Sequence, residues 1–174
     1  MVEMTSEQRR ESILAAVRKS SKPLTGAYLA RLYNVSRQII VQDIAILRAA
    51  GYDIIATPQG YLIPRVGQSQ RITRVIAVKH SRDQIEDELT TIVDLGGRIL
   101  DVIIEHPVYG EFKGRLMTSS RSDVRAYLET MEKEEAKPLS ALTEGVHLHT
   151  IEADSVSVLD QIEKALQEKG YLLN

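Results

Sequence analysis

Cysteine and tryptophan are absent from this 174-residue sequence, and phenylalanine occurs only once. Without cysteine the chain can form no disulfide, no thiolate metal site and no cysteine nucleophile. The first residues show no basic stretch followed by an apolar segment, and no apolar run reaches the roughly 20 residues that a membrane helix needs. We therefore expect a cytoplasmic protein that avoids membranes and builds its cores from Ile, Leu, Val and Ala.

Motifs of the common enzyme classes are also missing. The sequence contains no G-x-G-x-x-G, no phosphate-binding glycine-rich loop and no recognisable Ser-His-Asp arrangement. Its single Gly pair, Gly96 and Gly97, stands where a predicted helix ends before a strand. These absences predict that the chain is not an enzyme.

Charge is divided unevenly along the chain, although the net charge is only −2. Residues 1–65 hold nine Lys and Arg against five Asp and Glu, whereas residues 66–174 hold 13 against 19. A basic module beside an acidic one is typical of a nucleic-acid-binding domain joined to a domain of another function. We predict two domains, 1–65 and 71–174, joined by a linker at 64–70 that is rich in Pro, Gly, Ser and Gln.

Three helices and a hairpin are predicted in the first domain. Thr5, Thr25 and Ser36 can each cap a following run of apolar residues at helical spacing. Two short β-prone runs then flank a Thr-Pro-Gln turn. The predicted elements are helices at 5–19, 25–32 and 36–50 and strands at 52–56 and 60–63. This order predicts a winged helix-turn-helix, in which the hairpin is the wing.

The third helix carries the candidate DNA contacts. Ile40, Ile44 and Leu47 recur at i, i+4 and i+7 and predict its buried stripe. The polar start of the helix then faces solvent, and the second helix of a helix-turn-helix lies in the DNA major groove. The candidate DNA-binding residues are Ser36, Arg37, Gln38, Val41 and Gln42.

In the second domain the hydrophobic period changes repeatedly between two and 3.6 residues, which predicts alternating strands and helices. The predicted order is βαββαβα, with strands at 72–78, 98–105, 111–117 and 146–151 and helices at 83–95, 122–134 and 155–168. Three helices on one face of a four-stranded sheet would bury one core. The predicted fold class is α+β, a winged helix-turn-helix followed by an open-faced sandwich.

All four histidines fall in the second domain. His147 and His149 are two apart on a predicted strand, so both rings project from one face, and this spacing suits one metal ion. His80, at the end of the first strand, can fold back toward that face. The helix that follows offers several carboxylates: Asp83, Glu86, Asp87 and Glu88. Imidazoles with a carboxylate suit nickel, zinc, cobalt or iron, whereas a lone histidine is more often bonded only to backbone.

Longer stretches of the sequence resemble known families. The segment LARLYNVSRQIIVQDIAILRAAGYDI resembles the winged helix-turn-helix of bacterial metabolic repressors, whose recognition helix opens with Ser-Arg-Gln. The segments KHSRDQIEDEL, EHPVYGEF and GVHLHTIEA resemble the 3H domain, which is named for its three histidines and has an HPr-like fold. Together they resemble the nicotinic-acid-responsive repressors of NAD biosynthesis found in Gram-positive and related bacteria.

The resemblance implies roles for individual residues. It selects His80, Glu88, His147 and His149 as metal ligands, with nickel the first choice among the metals. It carries over His106, with Tyr109 close behind it, as the effector pocket, although His106 can equally serve to stabilise a turn. In the recognition helix it implies phosphate or guanine contacts from Ser36 and Arg37, adenine contacts from Gln38 and Gln42, and a thymine methyl contact from Val41.

The implied function is that of a homodimeric repressor that binds operator DNA upstream of NAD biosynthesis and niacin uptake genes. Nicotinic acid would be the co-repressor, and a divalent metal would be bound in the sensor domain. Two alternatives remain open from the sequence. The chain could be a metal-sensing repressor with no organic effector, or a metal-dependent hydrolase with a DNA-binding appendage that uses Glu105 or Glu111 as base.

Overall fold

The computed structural model describes residues 4–64 and 71–173, which fall into two compact units. Each unit mixes helices with antiparallel strands. The predicted α+β class is confirmed. Of the linker predicted at 64–70, all but Pro64 lies outside the described residues. Within the described ranges no helix is long and apolar enough to span a membrane.

The first unit contains three helices and a two-stranded sheet. The hydroxyls of Thr5, Thr25 and Ser36 each accept a hydrogen bond from the backbone N–H three residues on, so all three predicted caps are present. The elements are α1 Ser6–Lys19, α2 Gly26–Leu32, α3 Arg37–Ala49, β1 Ile55–Thr57 and β2 Gly60–Leu62. The strand predicted at 52–56 begins only at Ile55, because the backbone N–H of Tyr52 instead closes the end of α3 on the carbonyl of Leu47.

One apolar core holds the first unit together, and it contains the predicted stripe of α3. The wing is tied to the turn before α2, since Leu24 and Tyr61 exchange backbone hydrogen bonds of 2.9 and 2.8 Å. Gly60 permits this approach, because a Cβ there would lie 2.5 Å from the carbonyl oxygen of Leu24. The wing is therefore fixed to the helices by backbone as well as by side chains.

The second unit has the predicted order βαββαβα. Its elements are β3 Ile72–Lys79, α4 Ile85–Asp94, β4 Arg98–His106, β5 Gly110–Thr118, α5 Arg121–Lys133, β6 Val146–Ala153 and α6 Val156–Glu168. All strands are antiparallel in the spatial order β3-β6-β4-β5, so the last strand in sequence lies between the first two. Short 3₁₀ turns at Arg82–Gln84 and Leu139–Thr143 precede α4 and β6.

The sheet register decides which side chains face the helices. Val78 pairs with His147, and both Ile76 and Val102 pair with His149, so all of them share one face of the sheet. Residues of that face form a single core with residues of α4, α5 and α6. The unit is thus an open-faced sandwich, with the two histidines of β6 inside the helix-covered face.

The end of the chain adds an edge segment that the sequence did not predict. After α6, Gly170 takes a φ of +76°, and the chain then runs beside β3. The backbone N–H of Lys79 donates to Tyr171, and that of Leu173 donates to Ala77. This segment covers the free edge of β3 and buries the ring of Tyr171 next to His80.

Candidate metal centre and DNA-binding surface

The five predicted DNA contacts lie on one exposed stretch at the start of α3. Ser36, Arg37, Gln38, Val41 and Gln42 are all exposed, while the predicted stripe is buried. The Ser36 hydroxyl accepts from the N–H of Ile39 and so caps the helix that it begins. The surface that a DNA major groove would meet therefore lies outside the core, and Val41 is the one apolar residue among these five.

α3 also carries a buried carboxylate that the sequence did not predict. Asp43 is only 2% exposed, and its Oδ2 accepts a 2.7 Å hydrogen bond from Nε of Arg9 on α1. A second nitrogen of Arg9 lies 3.4 Å from Oδ1, and Arg10 lies 3.7 Å from the same oxygen. Asp43 stands between Ile40 and Ile44 on the buried stripe, which was the signal available in the sequence. This ion pair joins the recognition helix to α1.

The second unit brings together the four residues selected as metal ligands. Donor atoms of His80, Glu88 and His147 all lie within 4.8 Å of one another. The Nε2 of His80 lies 2.7 Å from Oε2 of Glu88. The Nε2 of His149 lies 3.2 Å from that of His147 and 3.4 Å from Oε1 of Glu88. All four side chains are buried, and they come from α4, from β6 and, for His80, from the position just after β3.

Each of the three imidazoles is oriented by a backbone carbonyl. The Nδ1 atoms of His80, His147 and His149 lie 2.9, 2.8 and 2.6 Å from the carbonyl oxygens of Ser81, Gly145 and Asp101. A carbonyl accepts only, so each Nδ1 carries the proton, and a neutral ring then presents a bare Nε2. Three bare Nε2 atoms therefore converge on one carboxylate, and this is the arrangement that protein metal ligands take.

The donor set fits a divalent cation. Three nitrogens and one oxygen suit nickel, zinc, cobalt or iron. The Oε1 of Glu88 is buried and has no hydrogen-bond partner among the described residues. An unsatisfied buried carboxylate oxygen is costly, and so is the 3.2 Å approach of two ring nitrogens when both are acceptors. A cation between these atoms would relieve both costs.

The electrostatics of the cluster favour bound positive charge. Burial works against the charged form of Glu88, yet the facing His149, His147 and His80 outweigh it and hold its pKa well below its usual range. Burial likewise disfavours charge on His80 and His149, but the Glu88 carboxylate raises the pKa of both. The cluster is thus an ionised, buried carboxylate that three imidazoles surround.

The other carboxylates of this helix region face elsewhere. Asp83 and Glu86 are exposed. Asp87 binds Lys169 at 2.7 Å and accepts a 2.8 Å hydrogen bond from the Tyr171 hydroxyl. Glu88 alone of the four points inward, and Tyr171 in turn packs edge-on against His80 at 5.6 Å between ring centroids. The end of the chain therefore supports the cluster from the β3 side.

His106 and Tyr109 are not brought to this cluster. The Nδ1 of His106 accepts from the backbone N–H groups of Val108 and Tyr109 at 3.2 and 3.3 Å, which is the turn-stabilising role. Its ring packs against Tyr109 and Phe112, and Tyr109 is 71% exposed. Neither residue lines the cleft beside the metal-ligand candidates. Their place in an effector pocket remains a prediction that this geometry does not support.

Glu105 and Glu111, the bases suggested for a hydrolase, also lie apart from the cluster. They face one another across β4 and β5. Because side chains alternate along a strand, Glu105 projects from the opposite face of the sheet to Val102, the partner of His149. Neither carboxylate can therefore reach a water molecule at the cluster.

Comparison with known proteins bears on both units. The HTH domain family matches residues 9–62, and the 3H domain family matches residues 73–174. The probable transcription repressor NiaR of Thermotoga maritima is 46% identical over 167 residues, which cover 96% of this chain and 94% of that protein. The transcription repressor NadR of Bacillus subtilis is 41% identical over 174 residues, 99% of this chain and 97% of that protein.

The chain belongs to the 3H-domain family of transcription repressors. The resemblance that the sequence motifs suggested is confirmed, and so is the prediction that the protein is a regulator rather than an enzyme. In this 3H-domain repressor the helix-turn-helix match runs from residue 9, within α1, to the wing, and the 3H match covers the four candidate ligands. The hydrolase alternative is set aside, since the two relatives that span the chain are named repressors.

Proposed function

We propose that this repressor binds operator DNA upstream of NAD biosynthesis and niacin uptake genes, with nicotinic acid as co-repressor and a divalent metal, nickel first, in its 3H domain. The observation that carries the proposal is the convergence of three Nε2 atoms on a buried carboxylate, in a chain whose other unit exposes a recognition helix. It acts in the cytoplasm, where the operator lies.

The DNA-binding step rests on the exposed start of α3. Gln38 and Gln42 can each pair with two atoms of an adenine edge, and Val41 can meet a thymine methyl. Arg37 and the cap of Ser36 lie at the N-terminus of the helix, where phosphate is favoured. Because one winged helix reads few base pairs, we propose a homodimer that reads two half-sites about 34 Å apart.

The metal would be held by His80, Glu88, His147 and His149. When bound, it supplies a Lewis-acidic contact for an anionic or heteroaromatic ligand. The chain's own part is to keep each Nδ1 proton on a backbone carbonyl, to keep the carboxylate ionised, and to exclude bulk water from the site.

The metal-sensing repressor without an organic effector is the second candidate. The observation in its favour is the depth of the cluster, since none of its four residues is more than 7% exposed. A site that is this deeply buried suits a metal ion that stays bound, or a metal ion that is itself the signal, without an organic effector. The two readings differ in whether nicotinic acid changes DNA affinity at constant metal content.

A fluorescence-anisotropy titration of labelled operator DNA tests the proposal. The protein is titrated metal-loaded and chelated, with and without nicotinic acid. We expect nicotinic acid to tighten binding only in the metal-loaded sample. His149→Ala should abolish that response and keep basal affinity, whereas Gln42→Ala should weaken basal affinity and keep the response.

Each other result has a definite meaning. Tightening by metal alone would replace the co-repressor with the metal sensor. Tightening by nicotinic acid in the chelated sample would separate the effector from the cluster. No binding to this DNA would refute the proposed targets.

A further inference from the structure

The four-stranded sheet has two outer edges, and only one of them is covered by another segment of the described chain. The outer edge of β3 is hydrogen-bonded to residues 171–173, through the N–H groups of Lys79 and Leu173. β5 forms the other edge and pairs with β4 alone. Within residues 4–64 and 71–173, no other segment forms a backbone hydrogen bond with β5. An open edge of this kind is a template for pairing with another strand.

The open edge is regular from Gly110 to Leu116. β5 pairs with β4 without a register shift from Gly110 to Arg115, and the irregularity beyond it falls at Met117, whose φ is +52°. Three charged residues alternate along the regular stretch and are all exposed: Glu111, Lys113 and Arg115. Because side chains alternate along a strand, these three project from the face of the sheet that the helices leave open.

Two of these three charges have no counter-ion in the described part of the chain. Glu111 lies directly opposite Glu105 on β4, and like charges in this position repel one another. Neither carboxylate forms an ion pair with a described residue, and neither does the guanidinium of Arg115. Lys113, in contrast, lies 3.1 Å from the buried carboxylate of Asp101. The edge therefore carries an unpaired acid at Glu111 and an unpaired base at Arg115.

We propose that β5 pairs antiparallel with β5 of a second copy of this chain, about a two-fold axis at Lys113. This inference rests on the homodimer of the proposed function and gives that homodimer an interface. Glu111 then faces the partner's Arg115, and Arg115 faces the partner's Glu111, so the two unpaired charges neutralise each other twice. Phe112 faces the partner's Gly114 in the same register, and an aromatic ring opposite an edge glycine packs over its backbone.

The charges select this register over its neighbours. An axis at Phe112 would place Glu111 opposite Lys113, whose charge Asp101 already meets, and would leave Arg115 unpaired. An axis at Gly114 would place Lys113 opposite Arg115, which is a like-charge pair. With the axis at Lys113, the two facing lysines each keep the Asp101 of their own chain. Both copies use the same edge, so the assembly closes as a dimer and leaves no edge for a third copy.

Charge reversal followed by sedimentation velocity of the full-length protein tests the proposal. Glu111→Arg and Arg115→Glu each place two like-charge pairs in the proposed interface, so we expect each to raise the dimer Kd by roughly 100-fold or more. An equimolar mixture of the two variants should dimerise again, because the basic residues of one chain then face the acidic residues of the other. Operator affinity should fall in each variant and recover in the mixture.

The matched controls are Arg125→Glu and Glu129→Arg, which make the same charge changes at exposed positions of α5. Both should dimerise as the unaltered protein does. Full dimerisation of the two β5 variants would overturn the interface and leave the homodimer standing. A loss that the mixture did not restore would overturn the pairing of Glu111 with Arg115. If the unaltered protein were a monomer, the proposed homodimer and this interface would fall together.

Discussion

Each unit buries a carboxylate on a helix, and the two carboxylates are used differently. Asp43 in the first unit faces the guanidinium of Arg9, which is a permanent cation, so the pair is complete within the protein. Glu88 in the second unit faces three imidazoles that are each held by Nδ1, and one of its oxygens has no hydrogen-bond partner among the described residues. A buried carboxylate that is fully paired with a cation of the same protein is a structural ion pair. In the second unit, the imidazoles that face Glu88 are the side chains that would hold the proposed metal together with it.

The two units also differ in the range of the contacts that build them. In the first unit, Thr5, Thr25 and Ser36 cap their helices by hydrogen bonds that span three residues. In the second unit, His80 and His149 are 69 positions apart and meet only because β6 pairs with β3. Loss of a long-range contact in the second unit should therefore destabilise it by more than loss of a helix cap destabilises the first unit.

Removal of the metal should give the largest effect and confine it to the second unit. A ligand at about a thousand times its Kd stabilises the form that binds it by about 4 kcal/mol. Chelation should therefore lower the free energy of unfolding of the second unit by about that amount, as seen by calorimetry with nickel and with chelator. Glu88→Gln should remove this response, and His106→Ala should retain it. Identical transitions in both samples would make the cluster a purely structural network.

Gly145→Ala should give the next largest effect. The new Cβ would meet the carbonyl oxygen of His80, and the left-handed backbone adds its own cost. We expect about 3 kcal/mol of destabilisation by chemical denaturation, together with weaker metal binding. Gly110→Ala is the control, because Gly110 is also left-handed but has no atom within 4 Å of the added Cβ. Equal losses in both variants would show that steric contact with His80 is unimportant.

Asp43→Ala tests the structural ion pair in the first unit. It leaves the Arg9 guanidinium partly buried without its partner, so we expect about 2 kcal/mol of destabilisation and weaker operator binding. Metal affinity should not change. Asp53→Ala is the control, since Asp53 is exposed and lies in the same unit. A neutral result at Asp43 would mean that α3 is positioned by its apolar stripe alone.

Ser36→Ala should have the smallest effect on stability. Replacing the N-cap serine by alanine should lower the free energy of unfolding by about 1 kcal/mol, whereas Ser36→Gly should lower it by only a few tenths of a kcal/mol. Both variants can be compared by thermal denaturation. Both variants lose the Ser36 hydroxyl, but only the alanine variant loses most of the helix-cap stability. An equal fall in operator affinity in both would therefore show that the hydroxyl contacts DNA.

The sequence predicted most of what depends on neighbours along the chain. Helix starts followed from Thr5, Thr25 and Ser36, and the order βαββαβα followed from the hydrophobic period. The common face of His147 and His149 followed from the two-residue repeat of a strand. Glu88, in contrast, could be chosen from its neighbouring carboxylates only by family resemblance. Its inward orientation is a property of the packed helix.

By itself, then, the sequence determined the elements, their caps, the recognition helix and the histidine pair, because each of these depends on interactions over three or four residues. The tertiary structure alone decided the strand order β3-β6-β4-β5, the edge segment at Tyr171 and the pairing of Asp43 with Arg9. These contacts join residues that are far apart in sequence. Which of them form is decided by the free energy of the whole packed core, which no local pattern encodes.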